Sequence, residues 1–197
     1  MAERPFLMPD QAYLTSRLKL LLVVVLGLGG LGLGLTDTPV SRYVQSFLAA
    51  PREGAPAPNF TLSTLDNETI TLSDLRGQVI ILNLWTSWCP PCREEMPTLN
   101  EVYQTYKDDG LVVLAVNSTV QDSEAAAREF TAEYALDFPI LLDHDGIVAR
   151  AYQLQSLPTT FFIDRRGVIQ AIVPGGPLRV SYIEAKISPL LTPDTSP

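Results

Sequence analysis

The side chains best suited to chemistry in this sequence are two cysteines, which stand together as Cys89-Pro-Pro-Cys92 in a chain that has no others. Two intervening residues let the sulfurs meet across one helical turn and form a disulfide. The motif follows the apolar segment 79–85 and precedes a segment of helical pattern. Because a helix N-terminus carries unpaired N–H groups, it stabilises a sulfur as the thiolate, the form that attacks disulfides.

The motif predicts a two-step thiol–disulfide exchange. We assign Cys89 as the exposed attacking thiol and Cys92 as the buried resolving thiol. The Cys89 thiolate attacks a substrate disulfide to give a mixed disulfide, and Cys92 then attacks Cys89 and releases the reduced substrate. Pro90 and Pro91 suit the first helical turn, where a missing N–H leaves no hydrogen bond unmade. An inert buried pair, or half of a metal site, is the alternative role for these cysteines.

Composition argues against several other classes of protein. A disulfide scaffold distributes several cysteines along the chain, and a structural zinc site needs four ligands. The formal net charge of −8 comes without a cluster of Lys or Arg, whereas a nucleic-acid-binding protein needs a basic face. Gly27, Gly29 and Gly32 match the dinucleotide pattern G-x-G-x-x-G, but no amphipathic helix follows them. We therefore expect no nucleic acid, no cofactor and no metal.

Three further residues are candidates for the site. Glu95 follows Cys92 by three residues on the same helical face, where a carboxyl of raised pKa could take the proton of Cys92; a solvated helix residue is the alternative. Trp88 directly precedes Cys89 and could form a docking surface. Pro158 precedes a predicted strand, either as its entry residue or in a cis bond that shapes a site.

The first 57 residues are predicted to lie outside the globular domain. Residues 20–35 are an uninterrupted run of Leu, Val and Gly, preceded by Arg17 and Lys19. This pattern favours a cytoplasmic segment 1–19, a single transmembrane anchor and a catalytic domain on the extracytoplasmic side of the cell membrane. A cleaved signal peptide is the alternative. Residues 36–57 are predicted to be a Pro-containing linker, and residues 192–197 a disordered tail.

Residues 58–191 carry the pattern of one α/β domain with a central mixed sheet. A hairpin comes first, strands and helices then alternate, and a second hairpin and a helix close the domain. Asp122 or Ser123 is the expected cap of the middle helix. The predicted bounds are 60–63 and 69–72 for the first hairpin, then 79–85, 90–107, 111–117, 123–135, 139–142 and 146–152, then 159–164 and 168–173 for the second hairpin, and 178–191 for the last helix.

Two segments together resemble the TlpA/ResA-type thioredoxin-like proteins of the AhpC/TSA and redoxin-like superfamily. Residues 83–99, NLWTSWCPPCREEMPTL, are similar to their active-site segment. Residues 157–169, LPTTFFIDRRGVI, are similar to their cis-proline loop and closing hairpin. The resemblance implies a thioredoxin fold with an N-terminal β-hairpin and a central insertion around residues 123–142. A membrane anchor before the domain is usual in the group.

The resemblance also implies roles for particular residues. Glu95 corresponds to the active-site glutamate of the group, and Asn83 stands where ordinary thioredoxins have a buried aspartate, which agrees with Glu95 handling the proton. The group implies a disulfide-bearing client outside the cytoplasmic membrane, such as apocytochrome c or a copper-site assembly protein, and a membrane thiol electron donor. The implied catalytic residues are Cys89, Cys92 and Glu95, and the implied substrate-binding residues are Trp88, Pro158 and Thr159.

Two other activities are alternatives. A thiol peroxidase of the peroxiredoxin type has the pattern T-x-x-C, which Thr86 and Cys89 match, although Leu82 stands where its preceding proline would be. A copper-carrying chaperone could use Cys89, Cys92 and His144 as soft ligands, although such proteins have CxxxC and His144 lies in a predicted turn. Rapid formation of a sulfenic acid at Cys89 would indicate the first, and copper binding by the reduced protein the second.

Overall fold

The computed structural model describes residues 51–192. Every predicted strand and helix of the domain is present, in the predicted order, and short 3-10 helices occupy Leu72–Leu75 and Lys107–Asp109. The strands are β1 (Thr61–Ser63), β2 (Thr69–Thr71), β3 (Val79–Trp85), β4 (Leu111–Asn117), β5 (Ile140–Leu142), β6 (Thr159–Ile163) and β7 (Ile169–Pro174). The helices are α1 (Pro90–Tyr106), α2 (Glu124–Glu133), α3 (Ile147–Ala151) and α4 (Val180–Leu191).

Five strands form a mixed sheet in the order β5-β4-β3-β6-β7. The central strand β3 is parallel to β4 and antiparallel to β6, while β4 is parallel to β5 and β6 is antiparallel to β7. Strands β1 and β2 pair with each other as a separate antiparallel hairpin. The prediction of a thioredoxin-like α/β fold with a mixed sheet and an N-terminal hairpin is therefore confirmed.

Strand β3 is buried along its whole length because both faces of the sheet are covered. Its successive side chains point to opposite faces and so contribute to two separate cores. Helix α1 buries residues spaced three or four apart, which gives it one apolar face against the first of these cores. The helix that carries the cysteines is thereby fixed to the sheet through Cys92, Met96, Leu99 and Val102.

The domain begins earlier than the predicted boundary at residue 58. Gly54 N donates to Ile169 O at 2.8 Å, Ile169 N donates to Ala55 O at 2.9 Å, and Ala57 N donates to Gly167 O at 2.9 Å. Ala55 and Ala57 are buried. The predicted linker 36–57 therefore extends too far, because residues 54–57 pair with the start of β7 and cover the edge of the sheet.

The predicted cytoplasmic segment 1–19, the predicted anchor 20–35 and most of the predicted linker lie outside the described residues, as do residues 193–197 of the predicted tail. Helix α4 ends at Leu191, directly before that tail. Among residues 51–192, no helix combines the length and the apolar character that crossing a membrane requires.

Candidate active site

The cysteine pair lies where β3 ends and α1 begins. Cys89 is the N-cap residue of α1, and Pro90 and Pro91 form the start of its first turn. A disulfide joins Cys89 and Cys92, whose Cα atoms are 5.3 Å apart. Cys92 N donates to Cys89 Sγ at 3.3 Å. Because the two prolines have no N–H, this is the first backbone donor of the helix that can stabilise a thiolate at Cys89.

Both sulfurs are covered in the disulfide form. Cys89 is 3% exposed and Cys92 is 1% exposed, so the prediction of an exposed Cys89 is wrong for this form. The two cysteines still differ in access, because Cys89 lines a surface groove of about 370 Å³ and Cys92 does not. This difference favours Cys89 as the thiol that a substrate disulfide meets. No charged side chain lines the groove, which is formed by Trp88, Cys89, Pro90, Pro91, Gln121 and residues 154–157.

The carboxylate of Asp122 holds the loop in front of Cys89. Its Oδ2 accepts from Ser87 N at 2.6 Å and from Asn117 Nδ2 at 2.8 Å, and its Oδ1 accepts from Ser87 Oγ at 2.7 Å and from Ser123 N at 2.9 Å. Burial raises the pKa of Asp122, but these hydrogen bonds to the charged form outweigh it and leave the pKa lowered. Asp122 is therefore an ionised anchor for the loop, while Ser123 is the cap of α2.

Trp88 stands at the rim of the groove beside Cys89. Its side chain is 55% exposed, and its Nε1 donates to Gln121 O at 2.9 Å. Arg93 supports the same loop from α1, since it donates to Ser87 O at 3.3 Å and to both carboxylate oxygens of Glu133 at 3.0 Å. The indole is thus presented to solvent by fixed neighbours.

Glu95 lies one turn after Cys92 and is fully buried, so the alternative of a solvated helix residue is wrong. Its Oε1 accepts from Asn83 Nδ2 and from Thr160 Oγ1, both at 3.0 Å, and its Oε2 accepts from Leu178 N at 3.2 Å. Burial raises the pKa of Glu95 from 4.5 to about 7, while the hydrogen bonds from Thr160 and Leu178 act in the opposite direction. Such a carboxyl can exchange protons with a thiol near neutral pH.

Pro158 comes directly after the groove-lining residues 154–157 and directly before β6. The Leu157–Pro158 bond is cis, one of the two states expected from the sequence. Gly175 N donates to Pro158 O at 2.7 Å, which brings the segment after β7 over this proline. A Cβ placed on Gly176 would overlap Glu95 Oε2 and lie 2.7 Å from Pro158 Cγ. Glu95 and Pro158 therefore meet at Gly176, a residue that no sequence pattern indicated.

Thr159 is placed differently from its predicted role. It is buried, it does not line the groove, and its Oγ1 donates to Ser156 O at 2.7 Å. The groove is lined instead by residues 154–157, directly before Pro158. Thr159 therefore closes the loop that forms one wall of the groove.

The residues of the two alternative activities do not form a comparable site. Within residues 51–192, no group of three or more His, Cys, Asp or Glu side chains is arranged to hold a metal ion. His144 is exposed, and its Nε2 lies 4.0 Å from the carboxylate of Glu124. Thr86 is fully buried, its Oγ1 has no hydrogen-bond partner, and its carbonyl accepts from Cys89 N at 3.4 Å.

Comparison with known proteins agrees with this geometry. Residues 54–172 match the AhpC/TSA family. The chain belongs to the AhpC/TSA family. The thioredoxin-like protein YneN of Bacillus subtilis is 41% identical over 157 residues, which cover 79% of this chain and 87% of that protein. The thiol-disulfide oxidoreductase ResA of Geobacillus kaustophilus is 36% identical over 170 residues, which cover 85% of this chain and 91% of that protein.

Among solved structures, one from Chlorobium tepidum is similar to this chain with a TM-score of 0.67 and 33% sequence identity. It is assigned as a thiol:disulfide interchange protein, DsbE, and the match covers 72% of this chain and 99% of that one. Fold, relatives and the disulfide at the start of α1 all agree. This AhpC/TSA family member is therefore a thiol–disulfide oxidoreductase with a thioredoxin-like fold, and Cys89 and Cys92 are its redox pair.

Proposed function

We propose that this oxidoreductase is a reductant of disulfides in client proteins on the extracytoplasmic side of the cell membrane. The observation that carries the proposal is the buried carboxyl of Glu95, one helical turn after Cys92. A reductant must remove the proton of a buried resolving thiol in every cycle. A carboxyl whose pKa is about 7 can accept that proton at neutral pH.

In the proposed reaction, the Cys89 thiolate attacks one sulfur of the client disulfide, and the other client sulfur leaves as a thiolate. Cys92 then gives its proton to Glu95 and attacks Cys89 Sγ. The mixed disulfide breaks, and the client leaves with both sulfurs reduced. The client has gained two electrons from Cys89 and Cys92, which are now joined as a disulfide. A membrane thiol donor reduces this disulfide again by the reverse exchange.

We propose that the client lies in the groove beside Cys89, against Trp88 and the loop that ends at Pro158. The lining carries no charged side chain, so it suits an uncharged client segment around the disulfide. Thr159 contributes by holding that loop through Ser156. An apocytochrome c or a copper-site assembly protein, as the family resemblance implies, is a candidate client.

The membrane anchor remains part of the proposal, supported by the apolar run 20–35 with Arg17 and Lys19 before it. A membrane-impermeant maleimide should label the reduced cysteines in intact bacteria that express the full chain. Labelling that appears only after lysis would place the cysteines in the cytoplasm and contradict this part of the proposal. A C89S/C92S variant is the control for background labelling.

The direction of the reaction is tested by the equilibrium redox potential of the full chain against a thiol buffer, with alkylation and mass measurement as the readout. A potential at or below about −220 mV supports a reductant, whereas a potential of about −120 mV identifies a disulfide donor. The same preparation tests the peroxidase alternative. Peroxide should form a sulfenic acid at Cys89 no faster than at an ordinary thiol.

A further inference from the structure

Gly176 occupies the contact point between the carboxyl of Glu95 and the ring of Pro158. A Cβ at this position would overlap Glu95 Oε2, lie 2.7 Å from Pro158 Cγ and lie 3.3 Å from Pro158 Cδ. Real Cβ atoms essentially never show contacts shorter than 3.0 Å. Two residues later, Leu178 N donates to the same carboxylate oxygen at 3.2 Å. The segment 175–178 can approach Glu95 this closely only because residue 176 has no side chain.

A positive φ does not explain the glycine at position 176. Of the seven glycines among the described residues, six have φ between 64° and 92°, a region that favours glycine. Gly176 is the exception, since its φ lies outside the positive range in which L side chains are strained. A positive φ is therefore not what requires glycine here, and the contacts that a side chain would meet are those with Glu95 and Pro158.

We propose that Gly176 is a positioning residue of the redox reaction, which keeps the Glu95 carboxylate on the Leu178 N–H and against Pro158. The proposal rests on the proposed role of Glu95 as the proton acceptor for Cys92. It also joins the two halves of the site. Pro158 O is held by Gly175 N at 2.7 Å, and Glu95 by Leu178 N, so one short segment fixes both the proline and the carboxyl.

The groups that contact Glu95 from the neighbouring elements are uncharged. They are Asn83 on β3, Thr160 on β6 and the Leu178 N–H before α4. On its own helix, Glu95 follows Cys92 by three residues, and Cys92 is joined to Cys89 as a disulfide. A change at Gly176 therefore acts on the titration of Glu95 through solvation and through the Leu178 hydrogen bond, and not through a displaced charge.

The test is the variant Gly176→Ala. The added methyl displaces the carboxylate from Leu178 N and adds apolar surface beside it, and both effects favour the protonated form. We expect the ionisation midpoint of Glu95 to rise by about one pH unit or more. The ionised fraction of Glu95 at pH 7 then falls about fivefold. The midpoint is read from the carboxyl infrared band of the reduced full chain, as the difference spectrum against Glu95→Gln.

A kinetic readout follows the same carboxyl without any client protein. The reagent 5,5′-dithiobis(2-nitrobenzoate) releases one thiolate when Cys89 attacks it and a second when Cys92 resolves the mixed disulfide. The pH profile of the second release should move upwards in Gly176→Ala, and Gly176→Ala should cause no further shift when added to Glu95→Gln. Gly77→Ala is the control, since it strains a φ of 92° in a turn outside the site and places no atom on Glu95, and its second release should keep the wild-type pH profile.

An unchanged infrared midpoint in folded Gly176→Ala would overturn the proposal, as would an equal kinetic shift in the Glu95→Gln background. If Gly176→Ala does not fold, Glu95→Asp/Gly176→Ala decides, because the shorter side chain withdraws the carboxylate from the new methyl. Recovery of folding supports the contact, and failure to recover contradicts it. The infrared titration needs no reductase activity, so it distinguishes failure of this proposal from failure of the proposed function.

Discussion

Two carboxylates contact the segments around the redox pair, and their pKa values are shifted in opposite directions. Glu95 is buried behind Cys92 and has a pKa raised to about 7, mainly by burial. Asp122 is partly buried beside the loop that precedes Cys89, and its pKa is lowered. Burial is the largest single influence on both, and it favours the protonated form in both. The difference lies in what surrounds the charge.

The four hydrogen bonds that Asp122 accepts include two backbone N–H donors, and solvent reaches the side chain. Glu95 accepts three, inside a core from which solvent is excluded. An ionised group is useful as a permanent anchor, and a group poised near neutrality is useful for moving a proton. The same functional group therefore serves structure on the Cys89 side and chemistry on the Cys92 side.

The largest expected effect comes from Glu95→Gln, which removes the proton acceptor and keeps the size of the side chain. We expect the second thiolate release in the assay above to fall by about a hundredfold or more at pH 7, within the range of general base catalysis. The first release, by Cys89, should change much less. Stopped-flow absorbance separates the two phases.

The matched control for that experiment is Asp122→Asn, which alters the other carboxylate. Its second phase should keep the wild-type pH profile, because Asp122 does not handle the proton in the proposed reaction. A hundredfold loss in Asp122→Asn, or a small loss in Glu95→Gln, would reverse the roles given to the two carboxylates.

The free energy of unfolding of the oxidised protein should also distinguish them. Since the pKa of Glu95 is raised on folding, the folded state binds more protons than the unfolded state between pH 4.5 and about 7. Stability contributed at this site is therefore greatest below pH 4.5 and is lost as the pH rises to about 7. At about 1.36 kcal/mol per pH unit, this loss is about 3 kcal/mol.

The measurement is urea unfolding of wild type and Glu95→Gln at several pH values, with the difference between the two isolating this carboxyl. A difference that stays constant from pH 4 to 8 would show that Glu95 keeps an ordinary pKa. Asp122 has the opposite sign: its lowered pKa stabilises the folded state above pH 3.8, and that stability is lost as the pH falls further.

Removing the carboxylate of Asp122 should lower the free energy of unfolding by somewhat less. Asp122→Ala leaves the N–H and Oγ of Ser87 and the Asn117 amide without their acceptor. We expect the free energy of unfolding at pH 7 to fall by about 2 kcal/mol. Urea unfolding measures this loss, and a shift in Trp88 fluorescence should accompany it because the neighbouring segment holds the indole. Asp122→Asn should lose less, since its remaining oxygen still accepts, and an Asp122→Ala protein of wild-type stability would contradict the anchoring role.

Local signals made the cysteine motif and the order of elements predictable. The run 79–85 lies in a doubly covered strand, and Cys89-Pro-Pro-Cys92 starts the helix after it, because adjacent residues determine both features. Contacts between distant residues carry no such signal. Glu95 meets Leu178 across 83 residues, and Ser87 meets Asp122 across 35. Neither the environment of either carboxylate nor the closeness of Gly176 could be predicted from patterns along the chain.

Two of the expectations that the structure contradicts have the same origin. The linker was predicted to continue to residue 57 because its prolines indicate a spacer, but pairing with residues 167–169 makes 54–57 part of the domain. Cys89 was predicted to be exposed because it begins a helix. Its low exposure depends on the disulfide and on the walls of the groove, which include residues 154–157, more than sixty residues further along the chain.

The smallest effect of a substitution is expected at Trp88, the exposed residue next to the loop that Asp122 holds. Trp88→Ala should change the free energy of unfolding by less than about 0.5 kcal/mol, because the side chain is 55% exposed. With insulin as the disulfide substrate, KM should rise severalfold while kcat and the pH profile of the second phase stay unchanged, the pattern of lost binding without lost chemistry. Trp88→Phe keeps an aromatic ring but not the hydrogen bond to Gln121 O, so its KM should lie between those of the wild type and Trp88→Ala. A fall in kcat with unchanged KM would show that Trp88 acts in the chemical step and not in binding. It would contradict the assignment of structure and binding to the Cys89 side and of proton transfer to the Cys92 side.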